Sequence, residues 1–275
     1  MPELPEVETV MRGLDGHLTG RRIVRAILRR ADIRWPVPPE LPRVLTGATV
    51  KGFRRRGKFM LMQLDNGWSV LIHLGMSGRM LLDKPEATHE HLTIETEDGG
   101  RVGFVDPRRF GTLDLVRTVD EDSHKLLAGM GPEPLGNEFS GAYLAAAVEG
   151  RSAPIKAVLL DQRVVAGIGN IYANEALFRA GILPTRAAGK ISRPRLEMLA
   201  QAVRATLIEA IAAGGSSLRD YVQPSGELGY FQHGWKVYGR ACEPCEHCPG
   251  PPACGGISQI TQSGRSTFYC AKTQR

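Results

Sequence analysis

Apolar positions at the start of the chain recur at helical spacing: Val7, Val10, Met11, Leu14 and Leu18, behind a first turn crowded with acids. From about residue 23 to 116 that spacing gives way to short apolar runs. Ile23 to Leu28, Lys58 to Leu64, Trp68 to Leu74, Leu92 to Glu95, Val102 to Val105 and Thr112 to Val116 read as strands. Asp65-Asn66-Gly67 and Glu97-Asp98-Gly99-Gly100 between them are hairpin turns, because Asn-Gly and Gly-Gly supply positive φ without steric cost. The expected unit is an antiparallel β-sandwich carrying an N-terminal helix, over residues 1–130. Gly131-Pro132-Glu133-Pro134-Leu135-Gly136 breaks the pattern and marks a linker at 131–136. Residues 137–240 return to helical spacing: Ala142 to Val148, Ile155 to Leu160, Ile171 to Ala180 and Arg195 to Ala213. The last carries Leu196, Leu199, Val203, Leu207 and Ile211 on one stripe. Cysteine occurs only from Cys242 onward, so 241–275 is a module of its own, and the fold class is α+β.

Composition changes this picture little and charge somewhat more. A 275-residue chain that is 42% hydrophobic is globular and long enough for two cores. Thirty-five Lys and Arg against 29 Asp and Glu give +6, which permits nucleic acid without requiring it. The clustering says more: Arg21, Arg22, Arg25, Arg29 and Arg30, then Arg54-Arg55-Arg56-Gly57-Lys58. Acids follow Met1 and no apolar run is long enough to span a bilayer, so neither a signal peptide nor a membrane span is expected. The expectation is a cytoplasmic monomer in which five cysteines serve as thiols or metal ligands.

The candidate chemistry begins at Pro2. A proline in second position allows the initiator methionine to be removed, leaving a secondary amine. An α-amino group titrates near pH ~8, far below lysine, so part of it is nucleophilic at neutral pH. Its adduct with a carbonyl carbon is an iminium that stays cationic and acts as an electron sink. Glu3 and Glu6 stand close in sequence as acid/base groups, although a capped helix with proline in its first turn would explain the same residues. Further along, His73-Leu74-Gly75-Met76-Ser77-Gly78-Arg79 and Asp106-Pro107-Arg108-Arg109-Phe110-Gly111 lie at strand ends. Pro154-Ile155-Lys156 and the run Leu160 to Glu175 form two short helices about a glycine-bearing turn, with Asn170 able to cap the second.

Pro2-Glu3-Leu4-Pro5-Glu6-Val7-Glu8-Thr9 resembles the N-terminus of bacterial formamidopyrimidine-DNA glycosylases. Leu160 to Glu175 closely resembles the helix–two-turn–helix signature of that superfamily, and the likeness runs from end to end of the chain. It implies a bifunctional glycosylase and abasic-site lyase that excises oxidised purines from double-stranded DNA, with Pro2 as nucleophile, Glu3 handling protons and Lys58 as a phosphate-touching catalytic lysine. It further implies that Met76, Arg108 and Phe110 fill the hole left by an extruded nucleotide. Lys156, Asn170 and Tyr238 become backbone contacts, and the glycine- and serine-rich stretch 214–233 becomes a segment that closes over the base. Read from composition alone, Lys58 belongs to a solvated basic edge, and Met76 and Phe110 belong to a core. Two other readings stand beside this one: a glycosylase for oxidised pyrimidines, which Leu4-Pro5 and Val7-Glu8-Thr9 fit less well, and a non-catalytic binder of damaged or abasic DNA. Intact Pro2, Glu3 and Lys58 argue against the binder.

The tail departs from the family pattern of two Cys-x-x-Cys knuckles about a zinc-bound β-hairpin. Gln262 to Cys270 matches the second strand, which makes Arg265 the DNA-contacting arginine at the tip. Thr273, however, stands where the fourth cysteine belongs, and threonine is a poor zinc ligand. The resemblance, counted back from Cys270, gives a rearranged zinc site of Cys245, Cys248, Cys254 and Cys270. Cys242 and His247 are stand-ins for Cys248.

Overall fold

The computed structural model describes residues 1–216, 229–248 and 255–275. The chain divides into two compact units, Met1–Gly129 with Ile211–Gln232, and Met130–Ala210 with His233–Arg275.

The first unit opens with helix α1 (Leu4–Leu18), whose stripe Leu4, Val7, Val10, Leu14 and Leu18 is buried. Eight strands follow in antiparallel pairing. Strands β1 (Ile23–Leu28), β6 (Glu90–Thr96), β7 (Arg101–Val105) and β5 (Arg79–Leu82) make one sheet in that order. Strands β2 (Val50–Arg56), β3 (Phe59–Leu64), β4 (Trp68–His73) and β8 (Thr112–Arg117) make the other. A short helix α2 (Leu41–Leu45) follows β1. One core of mainly Val, Leu, Ile and Met side chains from both sheets takes in Val7, Val10, Leu14 and Leu18 of α1, each fully buried side chain contributing roughly 1.5–3 kcal/mol.

Strands β2 and β5 and helix α2 are absent from the sequence reading. In β2, Lys51 and Arg54 to Arg56 hide the strand under charge. It lies at the edge of its sheet, where a row of cations blunts unwanted pairing. Acids from elsewhere meet this run: Arg55 Nε donates to Glu8 Oε2 at 2.7 Å, and Arg54 donates to Glu121 at 2.9 Å and to Asp122. Strand β5 has four residues and follows Gly78 directly, too short for an alternation to register.

In the second unit, α3 (Gly141–Val148) is capped by Ser140, whose Oγ accepts Tyr143 N–H at 3.1 Å. Helices α4 (Ile155–Leu160), α5 (Asn170–Arg179) and α6 (Arg193–Ala212) follow, then the hairpin β9 (Ser258–Gln262) and β10 (Arg265–Tyr269). Every residue of α5 from Ile171 to Phe178 is buried, so it is the central helix of this unit. Asn170 is its first helical residue. The cap position is held by Gly169, without a side-chain bond, which corrects the expected capping role of Asn170.

Candidate nucleic-acid interface and cysteine site

The amino terminus is organised by carboxylates. Glu3 is the N-cap of α1 and forms a capping box with Glu6, Glu3 N–H donating to Glu6 Oε2 at 2.8 Å. Glu6 is 2% exposed, and its other oxygen accepts Ser216 N–H at 2.8 Å. Glu6 is therefore engaged as a clasp between α1 and residue 216. Pro2 is buried and Met1 is exposed. With Met1 attached, the Pro2 nitrogen is an amide; removal of Met1 is what makes it a nucleophile.

Two loops come together beside this terminus. A cavity of about 680 Å³ is lined by Met1, His73, Gly75, Met76, Arg108 and Phe110 among others. Met76 (39% exposed) and Phe110 (41%) are not core residues, contrary to what composition alone favoured. The Arg108 guanidinium lies 5.0 Å from the centre of the Phe110 ring. A fully buried carboxylate ties the two loops: Asp106 accepts Ser77 Oγ–H at 2.6 Å and Gly111 N–H at 2.7 Å, while Arg108 N–H donates to Ser77 Oγ at 3.2 Å. Gly75 lets the loops approach, because a Cβ there would lie 2.4 Å from the carbonyl carbon of Phe110. Arg109 has φ of 56°, a left-handed conformation costly for a non-glycine residue and held here by these contacts. Asp106 and Ser77 were missed by sequence reasoning, since nothing local marks a buried aspartate as a clasp.

Lys58 is 7% exposed and sits in the turn between β2 and β3. His73 pairs across to Phe59, and their rings lie 4.6 Å apart. Burial, reinforced by the charges of Lys58 and Arg34, brings the His73 imidazole down to about 4, so it is neutral at neutral pH. Its Nδ1 accepts Gly75 N–H at 3.0 Å, which fixes the tautomer and the start of the Met76 loop.

In the second unit, Glu175 does for Tyr238 what Asp106 does for the first-unit loops. Its carboxylate accepts three consecutive backbone N–H groups, from Lys236 (2.9 Å), Val237 (3.0 Å) and Tyr238 (2.8 Å). Burial raises its pKa, against the pull of those three donors. The Tyr238 ring packs edge-on to Trp235 and Phe268, at 4.9 and 5.2 Å. Arg265 is exposed, directly after the tight Ser263-Gly264 turn in which both residues have positive φ. Lys156 is 1% exposed; its ammonium donates to Ser266 O at 3.0 Å and Thr267 Oγ1 at 2.6 Å. Asn170 Nδ2 donates to the same Ser266 carbonyl at 3.0 Å.

The thiols of Cys245, Cys248 and Cys270 lie within 4.8 Å of one another, Cys248 and Cys270 at 3.4 Å. Tetrahedral zinc–thiolate geometry places sulfurs roughly 3.8 Å apart, so this donor set fits a zinc ion. Thr273, at the family's fourth ligand position, offers a hydroxyl next to Cys270 and no thiolate. Cys242 is exposed and outside the cluster, and His247 stacks on Phe178 at 4.8 Å. Cys254, and most of the 214–233 stretch, lie outside the described residues.

The helical pair with its glycine turn and hairpin defines a helix–two-turn–helix protein: residues 130–222 match the formamidopyrimidine-DNA glycosylase H2TH domain model. Residues 1–113 match the model of the formamidopyrimidine-DNA glycosylase N-terminal domain. A formamidopyrimidine-DNA glycosylase of Acidiphilium cryptum is 67% identical over 275 residues, covering all of both chains. Among solved structures, a Lactococcus lactis Fpg mutant in complex with Fapy-dG-containing DNA has TM-score 0.90 at 32% identity, covering 100% of both chains. The MutM (Fpg) protein of Thermus thermophilus has TM-score 0.88 at 37% identity, covering 99% of this chain and 98% of its own. The chain belongs to the formamidopyrimidine-DNA glycosylase family.

Proposed function

We propose that this protein is a bifunctional DNA glycosylase and abasic-site lyase of base excision repair, removing 8-oxoguanine and formamidopyrimidines from duplex DNA. The observation that carries this reading is the first-unit cavity. Met76 and Phe110 stand exposed beside Arg108, on clasped loops next to the amino terminus. Exposed apolar side chains on a fixed loop suit a wedge that enters the stack once a nucleotide leaves it, and Arg108 suits the orphaned partner base.

After Met1 is removed, the Pro2 nitrogen attacks C1′ of the extruded nucleotide, and the base departs with its bonding electrons and a proton. Ring opening gives an iminium at C1′, which acidifies the C2′ hydrogen. Glu3 takes and returns protons, and Lys58 contacts the neighbouring phosphate and assists transfer. Loss of the C2′ proton expels the 3′ phosphate; a second elimination expels the 5′ phosphate, and hydrolysis frees Pro2. Asn170, Tyr238 and Arg265 hold backbone phosphates.

Zinc would be held by Cys245, Cys248 and Cys270 with Cys254 as fourth ligand, supplying a structural cross-link for the hairpin and no chemistry. The chain then comprises a catalytic sandwich unit (1–129 with 211–232) and a second unit (130–210 with 233–275) that holds the helix–two-turn–helix segment and the zinc hairpin, acting as a cytoplasmic monomer. The expected helical domain at 137–240 is corrected, because 211–232 belongs with the sandwich. No described helix is long and apolar enough to cross a membrane.

Borohydride trapping on a duplex with 8-oxoguanine opposite cytosine tests the reading. Reduction of the iminium leaves a covalent protein–DNA adduct mapping to Pro2, and Pro2→Gly greatly weakens strand cleavage. An intact strand with no adduct would leave a damage-binding protein instead.

A further inference from the structure

We propose that Lys156 is a positioning residue for Arg265, holding the hairpin tip from beneath through the Ser266 carbonyl, and does not itself touch phosphate. The inference rests on the reading of Arg265 as a phosphate contact.

The hairpin is a two-stranded sheet of β9 and β10, and an isolated two-stranded ribbon is marginal in water. In a strand, the carbonyl of one residue and the amide of the residue two positions on face the same edge. On the edge of β10 turned away from β9 these groups are Ser266 C=O and Phe268 N–H, and side chains satisfy both. Lys156 from α4 and Asn170 from α5 donate to Ser266 O, each at 3.0 Å, and Phe268 N–H donates to Asn174 Oδ1 at 2.8 Å. Asn174, fully buried, returns its own amide to Asn170 O at 2.6 Å. Three side chains thus serve the hairpin as a third strand would.

Lys156 adds a second grip through Thr267 Oγ1, a residue with no exposed surface. The two acceptors lie one and two residues after Arg265, so the ammonium fixes the strand immediately after the exposed guanidinium. At 1% exposure the ammonium is not presented to a ligand arriving from solvent. A buried cation is costly, and a methionine would fill similar volume without that cost. What lysine provides is several donors on one atom, aimed at adjacent residues of one strand.

Binding of a duplex carrying a tetrahydrofuran abasic analogue, measured over a range of salt, separates the possibilities. Arg265→Ala should lower the log–log salt slope by about one. Lys156→Met should lower it similarly, and Lys156→Met in the Arg265→Ala background should lower it no further. A further loss of about one in the double variant would make Lys156 a phosphate contact in its own right and overturn the inference. Thr267→Val keeps every charge and is buried, so as a phosphate-independent variant it should still weaken binding, on the order of fivefold. Unchanged binding there would count against us equally. Hydrogen exchange on the DNA-free protein reads the anchoring alone: Thr267 and Phe268 amides lose protection in Lys156→Met and Thr267→Val while α5 amides keep theirs. An unchanged slope in Arg265→Ala sinks the Arg265 reading. A changed slope there, with hairpin protection unaltered in the other two variants, sinks this inference alone.

Discussion

His73 shows how much a single residue owes to its setting. Between β4 and the Met76 loop it is largely enclosed, faces the cations Lys58 and Arg34, and keeps Nδ1 as an acceptor for Gly75 N–H. Its folded pKa of about 4 lies below the ordinary histidine value. Below pH ~6.5 the unfolded chain takes up a proton that the native state refuses until about 4. The histidine's contribution is therefore whole above pH ~6.5 and is lost as pH falls toward 4, roughly 3 kcal/mol at most and about 2 of it by pH 5. Urea unfolding at pH 7.5 and pH 5 should show that loss in the parent. In His73→Asn, which keeps an acceptor near Nδ1 but does not titrate, the difference between the two pH values should shrink by about that amount. An unchanged difference would mean that His73 is protonated in the native state at pH 5.

The two first-unit loops act as one element because Asp106 bonds both. Asp106→Asn leaves one oxygen for two donors: its amide N–H either faces Gly111 N–H or meets Ser77 Oγ, whose hydroxyl must then turn its proton away. Removing a hydrogen bond to a buried charge costs about 1.5–3 kcal/mol, felt here as disorder among Met76, Arg108 and Phe110. A wedge acts only after a nucleotide begins to leave the stack. Single-turnover excision of 8-oxoguanine from duplex should therefore slow by roughly tenfold or more, with binding to undamaged duplex within about twofold of the parent. Cleavage at a preformed abasic site, where no base has to be extruded, should fall much less. Equal losses on all three substrates would show that Asp106 merely holds the sandwich together.

Across the whole molecule, each unit has its own hydrophobic core, and the cysteine site belongs to the second alone. The small cluster of Phe178, Val237, Ile257 and Phe268 around Cys245 and Cys270 offers the hairpin little apolar area, and a metal is the usual remedy. Purified protein should contain about one zinc per chain, lost in Cys248→Ser. Chelation should expose the amides of 258–269 to hydrogen exchange and leave the protection of β1 to β8 in place. Metal-free protein with full activity and a protected hairpin would show that packing and the Lys156 grip suffice.

The sequence by itself determined what local pattern and covalent identity carry. These are the proline in second position, the hairpin turns with their glycines, the α1 stripe, the helical pair and the tight turn before Arg265. It also exposed the missing fourth cysteine at Thr273. Tertiary structure decided which charges are spent and which apolar groups are left out. Arg54 meets Glu121 from 67 residues away, and Lys156 meets Thr267 from 111. No periodicity extends over such separations, so the arginine run could not show its partners nor Lys156 its burial. The exposure of Met76 and Phe110 was hidden for the same reason: side-chain type sets the hydrophobic drive inward, but only loops clasped by a distant buried Asp106 can hold a methionine and a phenylalanine against it.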